Sequence, residues 1–157
     1  MTGTITVTRG NDPGAVRRIL GSLPDWFGIP EANEHYVRAG ARLPGYLAST
    51  DGEVVGVALV ERHFPESAEI HLIAVSPEHH GKGVGTALVR AAEEGLLADG
   101  AQVLQVKTVG PSFEDEGYAA TRAFYAARGF LPLQEHDGLD WDGPTLVLVR
   151  FLGVPTG

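Results

Sequence analysis

The chain of 157 residues contains no cysteine and few basic residues: twelve Lys and Arg stand against twenty Asp and Glu, for a formal net charge of −8. Without cysteine there is no disulfide, no thiolate zinc site and no cysteine nucleophile. The shortage of Lys and Arg argues against a nucleic acid as partner, because clustered basic residues supply that affinity. The acidic balance favours either a cationic substrate or simple solubility.

Long hydrophobic runs are absent as well. The apolar stretches are short, such as residues 54–60, whereas a membrane span needs roughly 18 residues. Residues 1–10 have neither a basic start nor an apolar core, so no signal peptide is expected. We therefore expect a cytoplasmic protein with no membrane partner. The length suits one domain, and no repeat or linker interrupts it, so residues 1–157 are predicted to form a single domain.

Apolar residues at strand and helix spacing predict the element order β-α-α-β-β-β-α-β-α-β-β, which is an α/β protein with a mixed sheet. Asp51-Gly52 lies between two apolar runs and predicts a hairpin turn. Residues 84–96 show the spacing of one apolar helix face. A later helix is predicted to bury a stripe made of Ala120, Ala123, Phe124 and Ala127.

A glycine-rich loop separates a predicted strand from the helix that begins near residue 84. Gly81, Gly83 and Gly85 alternate with other residues there. Such a turn directs backbone N–H groups and the helix dipole at one point, which favours a phosphate or pyrophosphate. Lys82 could add a positive charge. The spacing matches neither the P-loop nor the dinucleotide fingerprint, and a glycine turn without a ligand is the alternative.

This loop resembles the acyl-CoA loop of the GCN5-related N-acetyltransferase (GNAT) family. The family pattern is Gln or Arg, two residues, Gly, one residue, then Gly or Ala, and His80, Gly83 and Gly85 occupy those places. Residues 68–75 resemble the family's fourth strand, and residues 121–130 resemble its aromatic–Tyr–x–x–x–Gly–Phe segment. With the matching element order, the resemblance covers nearly the whole chain.

The resemblance implies a GNAT-like fold, a twisted mixed sheet with helices on both faces, splayed between the strands near Glu69 and Val103. It also implies acetyl-CoA as co-substrate. Pantetheine would lie along the strand end, the pyrophosphate would lie on loop amides, and Tyr118 would replace the asparagine that often contacts the pantetheine arm. The residues expected to bind acetyl-CoA are Ile73, Ala74, Val75, His80, Gly81, Lys82, Gly83, Val84, Gly85, Thr86 and Tyr118.

Tyr125 is the candidate acid for the departing thiolate, because a phenol is neutral at pH 7 and can donate a proton or a hydrogen bond. The resemblance supports this role. Helical spacing places Tyr118, Arg122 and Tyr125 on one face of their helix. The alternative is a tyrosine that packs its ring and exposes its hydroxyl.

Two residues compete as the base that deprotonates the acceptor amine, an ammonium group with a pKa near 10 in its free form. Strand alternation places Glu69 and His71 on one face. Burial would raise the pKa of Glu69 above its ordinary value of about 4.3. The resemblance also implies a glutamate that acts as the base at this position, as in the family's protein-lysine acetyltransferases. A histidine titrates near neutrality, so His71 could be the base itself or a partner of Glu69 through a water molecule. The alternatives are a glutamate that points to water and a structural histidine.

The predicted activity is direct acetyl transfer to an amine, since no cysteine exists to carry the acetyl group. A backbone N–H such as that of Val75 could stabilise the oxyanion. The acceptor stays open between small-molecule and protein amines, although Trp26, Phe27, His35 and Tyr36 fall where the family covers its acceptor. The histidines show no metal-ligand spacing, so no metal is expected. A non-catalytic acyl-CoA-binding module is the main alternative, and a homodimer is compatible with the resemblance.

Overall fold

The computed structural model describes residues 3–24, 26–139 and 141–153. The helices and strands follow the predicted order, with a short 3-10 turn at Pro77–His79. Their bounds are β1 Thr6–Arg9, α1 Pro13–Gly21, α2 Pro30–Arg42, β2 Gly45–Thr50, β3 Glu53–Phe64, β4 Ser67–Val75, α3 Val84–Ala98, β5 Val103–Val109, α4 Glu116–Ala127, β6 Leu131–Asp137 and β7 Pro144–Phe151.

The strands form a seven-stranded sheet in the order β1-β2-β3-β4-β5-β7-β6. Strands β4 and β5 run parallel, whereas the pairs β1–β2, β2–β3, β5–β7 and β6–β7 run antiparallel. The prediction of a mixed α/β sheet is confirmed. The hairpin at Asp51-Gly52 is confirmed too, because both residues have positive φ angles, 52° and 80°, between paired β2 and β3.

The chain divides into two compact units, residues 1–61 with 71–95 and residues 62–70 with 96–157. In the first unit, α1, α2 and strand residues share one apolar core. Helix α1 begins where Asp12 accepts a hydrogen bond from the Ala15 N–H at 2.9 Å, and Pro13 supplies a φ suited to the first turn. The buried core residues include Val16, Ile19, Leu20, Leu23, Val57, Leu59 and Leu72.

In the second unit, Ser67–Ile70 of β4 pair in parallel with Val103–Val106 of β5, and β5 then pairs with β7 along its whole length. Glu69 lies opposite Gln105, and Ser67 lies opposite Val103. The strands are therefore joined at the residues where the resemblance placed a splay. The prediction of a single domain over residues 1–157 stays a prediction.

The two helices with predicted apolar faces differ in outcome. Helix α3 buries Val84, Leu88, Ala92 and Leu96 as predicted. Helix α4 buries Tyr125 and exposes its alanines, so the predicted alanine stripe is wrong. Alanine offers little apolar area, and burial free energy scales with area, so the large aromatic ring decides which face turns inward. In the described part of the chain, no helix is long and apolar enough to span a membrane.

Candidate active site

The glycine loop lies in the first unit, between the end of β4 and the start of α3. The Ser76 N–H fixes its beginning by donating to the Val55 carbonyl oxygen at 2.8 Å. Gly81 and Gly83 have φ angles of 73° and 86°, in the left-handed region that other residues seldom adopt. A Cβ at either position would meet no atom within 4 Å. These glycines are therefore required by the backbone conformation, and there is open space beside them.

The start of α3 gives this loop the character of an anion site. The Ala87 N–H donates to the Gly83 carbonyl oxygen at 3.0 Å, so the amides of Val84 and Gly85 precede the helical hydrogen bonds. The first turn of α3 contains no acidic residue, and a helix N-terminus carries partial positive charge. The side chain of Lys82 is exposed at the same loop. The residues present therefore fit the phosphate groups of acetyl-CoA.

His80 occupies the place of the family's Gln or Arg, and its ring is directed at the chain itself. Its Nε2 lies 2.7 Å from the Val75 carbonyl oxygen, so an Nε2–H donates a hydrogen bond that joins the loop to the end of β4. The Trp26 ring stands edge-on to the His80 ring at a centroid distance of 6.3 Å. His80 thus supports the shape of the loop. The Val75 carbonyl, in the stretch expected to bind pantetheine, already accepts one hydrogen bond.

The other residues predicted to bind acetyl-CoA differ in their exposure. Along β4, Ala74 is buried, whereas Ile73 and Val75 are partly exposed. The exposed loop residues are His80, Gly81, Lys82 and Gly83, those partly exposed are Gly85 and Thr86, and Val84 is buried. One continuous segment of the first unit therefore brings together every predicted acetyl-CoA residue except Tyr118, and their binding role stays a prediction.

Three of the four aromatic residues predicted near the acceptor form one cluster with His71, in the first unit. The ring of His71 has centroid distances of 5.6 Å to His35 and 5.4 Å to Tyr36. Phe27 stands edge-on to Tyr36 at 5.9 Å. Aromatic faces attract cations, so this cluster is a suitable environment for a positively charged group.

His71 also faces a carboxylate. Its Nδ1 lies 3.7 Å from Glu61 Oε2, and its side chain is 19% exposed. This separation is longer than the roughly 2.7–3.2 Å of a hydrogen bond between such atoms. His71 is therefore set between aromatic rings and an acidic side chain, and its role as base stays a prediction.

Glu69, in the second unit, is buried with 6% of its surface exposed. Its Oε1 accepts hydrogen bonds from His63 Nε2 at 2.8 Å and from Gln105 Nε2 at 3.1 Å. Its Oε2 lies 3.5 Å from Lys107 Nζ. A buried carboxylate is tolerated when charge and hydrogen bonds compensate its lost hydration, and Glu69 has both. The alternative of a glutamate that points to water is wrong.

His63 is the functional candidate that the sequence did not identify. It lies near the end of β3, its Nε2 contacts Glu69, and its side chain is 39% exposed. A signal exists in the sequence: Glu61-Arg62-His63 and Glu69-Ile70-His71 repeat Glu-x-His on two strands that a short turn connects. Side chains that face each other across such strands pair, so each Glu could have been matched with a His.

Tyr125 is 3% exposed, and its ring packs edge-on against Phe124 and Phe130 at centroid distances of 5.2 Å and 5.4 Å. Burial raises the pKa of Tyr125 well above its ordinary value of about 10. The phenol therefore stays protonated across the physiological range. It can donate a hydrogen bond and cannot act as a base there.

Tyr118, Arg122 and Tyr125, which are predicted to share one face of their helix, all lie on α4 and are buried or partly buried. Arg122 Nη1 donates to the Val109 carbonyl oxygen of β5 at 2.8 Å. Asp115 caps the helix by accepting from the Tyr118 N–H at 3.1 Å. Burial, followed by the Asp115 charge, raises the pKa of Tyr118. Tyr118 is thus also a protonated donor at neutral pH.

Within residues 3–24, 26–139 and 141–153, no group of three or more His, Asp or Glu side chains is arranged to hold a metal ion.

Two solved structures share this fold over nearly the whole chain. An acetyltransferase of the GNAT family from Desulfovibrio desulfuricans has a TM-score of 0.84 at 21% identity, covering 96% of this chain and 100% of that one. The ribosomal-protein-S18-alanine N-acetyltransferase from Escherichia coli has a TM-score of 0.77 at 18% identity, covering 98% and 97%. At these identities the likeness establishes the fold.

A third structure was solved with acetyl-CoA bound. It is a GNAT family acetyltransferase from Elizabethkingia anophelis, with a TM-score of 0.72 at 17% identity, covering 94% of this chain and 97% of that one. At this identity too the likeness establishes the fold, and the bound acetyl-CoA is a property of that protein. The GNAT-like fold predicted from the sequence is confirmed.

Comparison of sequences identifies the family as well as the fold. The mycothiol acetyltransferase of Nocardiopsis dassonvillei is 33% identical over 135 residues, which is 76% of this chain and 39% of that protein. The chain thus spans well under half the length of this relative. A model of the Acetyltransferase (GNAT) family matches residues 18–130. The chain belongs to the GNAT acetyltransferase family.

Proposed function

We propose that this protein transfers an acetyl group from acetyl-CoA to the nitrogen of a primary amine, by direct attack with both substrates bound. The observation that carries the proposal is the glycine loop, where left-handed Gly81 and Gly83 open the backbone in front of the α3 N-terminus. Family membership and the acetyl-CoA bound to the Elizabethkingia protein of the same fold support this reading.

The loop would hold the phosphates of acetyl-CoA through amides from Gly81 to Thr86, with Lys82 adding charge at its rim. Because the amides do this work, a net charge of −8 on the chain is compatible with an anionic co-substrate. Peptide groups of Ile73, Ala74 and Val75 would align the pantetheine arm. Tyr118, a partly buried and protonated phenol, could donate a hydrogen bond to that arm.

Tyr125 would act on the leaving group by hydrogen bonding. A thiol has an ordinary pKa of about 8.5 and a phenol one of about 10, and burial raises the pKa of Tyr125 further. Complete proton transfer from the phenol to the thiolate is therefore uphill. Donation of a hydrogen bond to the sulfur stabilises the developing charge without that cost. A Val75 N–H could serve the oxyanion in the same way.

The sequence offers two candidate bases on β4, Glu69 and His71. Each faces a partner of the complementary type, His63 for Glu69 and Glu61 for His71. For the acceptor we propose a cationic amine, because the protein is acidic and His71 lies among aromatic rings. The Escherichia coli neighbour is named as an alanine N-acetyltransferase, which supports a nitrogen acceptor.

We also propose that the protein is cytoplasmic and that residues 1–157 form a single domain. A homodimer is compatible with both proposals.

Two measurements test the proposal. In the first, acetyl-CoA is expected to raise the Tm of the protein, since a ligand that binds only the native state stabilises it. In the second, thiol release from acetyl-CoA is followed with protein-lysine peptides, peptide N-termini, polyamines, amino acids and aminoglycosides. Amine-dependent release supports the transferase. A raised Tm without release from any amine would favour the acyl-CoA-binding module, and no change in Tm would remove the basis for both.

A further inference from the structure

Glu69 is poorly suited to act as the base by itself. One of its oxygens accepts two hydrogen bonds, from His63 and Gln105, and the other lies 3.5 Å from the Lys107 ammonium. Donors of this kind stabilise the charged carboxylate and occupy the oxygens at which it would take a proton. The side chain is also buried. These contacts indicate a carboxylate that fixes its neighbours.

His63 has the complementary properties. Because its Nε2 lies 2.8 Å from Glu69 Oε1, the neutral ring is expected to carry its proton on Nε2 and to keep a lone pair on Nδ1. A carboxylate orients a histidine in this way in the Ser-His-Asp triad, where the other ring nitrogen takes the proton. The side chain is 39% exposed, so the ring is partly open to solution.

Strand β5 supports the His63–Glu69 pair through two of its side chains. Gln105 is the register partner of Glu69 on β5, and Lys107 follows two residues later, on the same face of that strand. Lys107 on β5 brings a positive charge to the pair, because its Nζ lies 3.5 Å from Glu69 Oε2. Arg62, next to His63, is directed elsewhere: its guanidinium donates to the carbonyl oxygens of Pro65 and Asp99.

We propose that His63 is the base of the reaction and that Glu69 is the residue that positions it. This inference rests on the proposed acetyl transfer. His63 Nδ1 takes one proton from the acceptor ammonium, and Glu69 stabilises the resulting imidazolium. The amine nitrogen then forms a bond to the acetyl carbon while the carbon–sulfur bond breaks. The nitrogen loses its second proton to the departing sulfur as the amide forms, so the sulfur leaves as a thiol, and His63 returns the first proton to solvent.

His63→Gln tests the assignment, because glutamine can still donate to Glu69 but cannot take a proton at neutral pH. General-base catalysis contributes about 10²- to 10⁴-fold, so kcat is expected to fall at least about 100-fold while the Tm increase with acetyl-CoA stays. His136→Gln, on β6, is the matched control and should keep the activity. Imidazole added to His63→Ala should restore part of the rate. Thiol release at the wild-type rate from His63→Gln would overturn the base assignment.

The pH profile separates a positioning role for Glu69 from a catalytic one. In Glu69→Gln the rise of kcat/KM with pH should persist, because His63 is still present to take the proton. In His63→Gln the rise should instead follow the deprotonation of the free amine, whose pKa is near 10. If Glu69→Gln shows that amine-controlled profile and His63→Gln keeps the wild-type profile, Glu69 is the base and the proposal is wrong.

A spectroscopic readout needs no turnover. Nitrogen-15 NMR of the His63 ring in the wild-type protein should show the proton on Nε2 at high pH, and Glu69→Gln should reduce that preference. A proton on Nδ1 would overturn the proposed arrangement, whatever the activity. Failure of every amine to release thiol from the wild-type protein would overturn the proposed function and the base with it. Release that survives His63→Gln would overturn the base alone.

Discussion

The glycine loop is built mainly from backbone groups, whereas the cluster around Glu69 is built from side chains. In the loop, backbone amides and left-handed glycines would form the proposed phosphate site, and almost all of its predicted residues come from one short segment. The cluster consists of the side chains His63, Glu69, Gln105 and Lys107, which come from three strands. A backbone site depends on conformation, whereas a side-chain cluster depends on the mutual satisfaction of its members.

The largest expected loss of stability follows from removal of the centre of the cluster. Glu69→Ala removes the acceptor shared by His63 and Gln105 and the negative charge beside Lys107, and loss of one member of a buried pair costs about 3–5 kcal/mol. Because His63 is 39% exposed and Lys107 is 28% exposed, water can replace part of the loss, and about 2 kcal/mol is expected. Urea denaturation measures it. Glu53→Ala, at an exposed glutamate, is the control, and equal stability of the two variants would contradict the account.

Tyr125→Phe is expected to lower kcat by about ten- to a hundredfold. This decrease corresponds to the roughly 1.5–3 kcal/mol that a hydrogen bond to a charged group contributes. Acetyl-CoA should still raise the Tm, because the ring and its packing remain. Steady-state thiol release checks the prediction. An unchanged kcat would mean that the hydroxyl does not act on the leaving group.

Tyr125→Phe should also change how the free energy of unfolding depends on pH in the alkaline range. The pKa of Tyr125 is raised in the folded protein, so the native state holds this proton more tightly than the unfolded state. The resulting stability is present below the ordinary pKa of about 10 and is lost as pH rises through the folded-state value. Between pH 10 and pH 12 the wild-type protein should lose more stability than Tyr125→Phe. Parallel curves of unfolding free energy against pH would rule out this contribution.

Gly83→Ala changes the backbone site. Alanine at a φ of 86° is strained by about 1–2 kcal/mol, and relief of this strain would turn the amides away, so acetyl-CoA affinity should fall about tenfold. Gly52→Ala is the matched control: its φ is 80°, and a Cβ there also meets no atom within 4 Å. Calorimetry should find a similar loss of stability in both variants, with weakened acetyl-CoA binding in Gly83→Ala alone. Equal affinities would exclude the loop as the binding site.

The smallest effect is expected on α4. Ala123→Glu lies on the exposed alanine stripe, and surface substitutions usually change stability by less than about 0.5 kcal/mol. The Tm should stay within a few degrees of the wild-type value. A large decrease would indicate that this stripe is covered, as first predicted from the sequence.

Residue spacing and turn residues predicted those features of the fold that depend on neighbouring residues in the sequence. The order of helices and strands, the turn at Asp51-Gly52 and the face of α3 follow from spacing and turn residues, and the structure agrees. The alanine stripe of α4 was predicted from hydrophobic class alone. It failed because Tyr125 carries far more apolar area than any alanine, and area decides which face is buried.

The composition of the Glu69 cluster required information that spacing does not contain. Glu69 was predicted as an important residue, but its partners come from β3 and β5, and the parallel register of β4 with β5 selects Gln105. A shift of one residue would present different side chains. Residue spacing alone therefore indicates no role for His63, although the Glu-x-His repeat at residues 61–63 and 69–71 is visible in the sequence.

The central claim is acetyl transfer to an amine, and the most direct test is the mass balance of one reaction. Protein, acetyl-CoA and a responsive amine are incubated together, and free thiol and acetylated amine are quantified in the same sample by thiol titration and mass spectrometry. The account predicts equal amounts of the two products and no acetylated protein. Thiol release that is independent of amine, or an acetyl group retained on the protein, would contradict direct transfer.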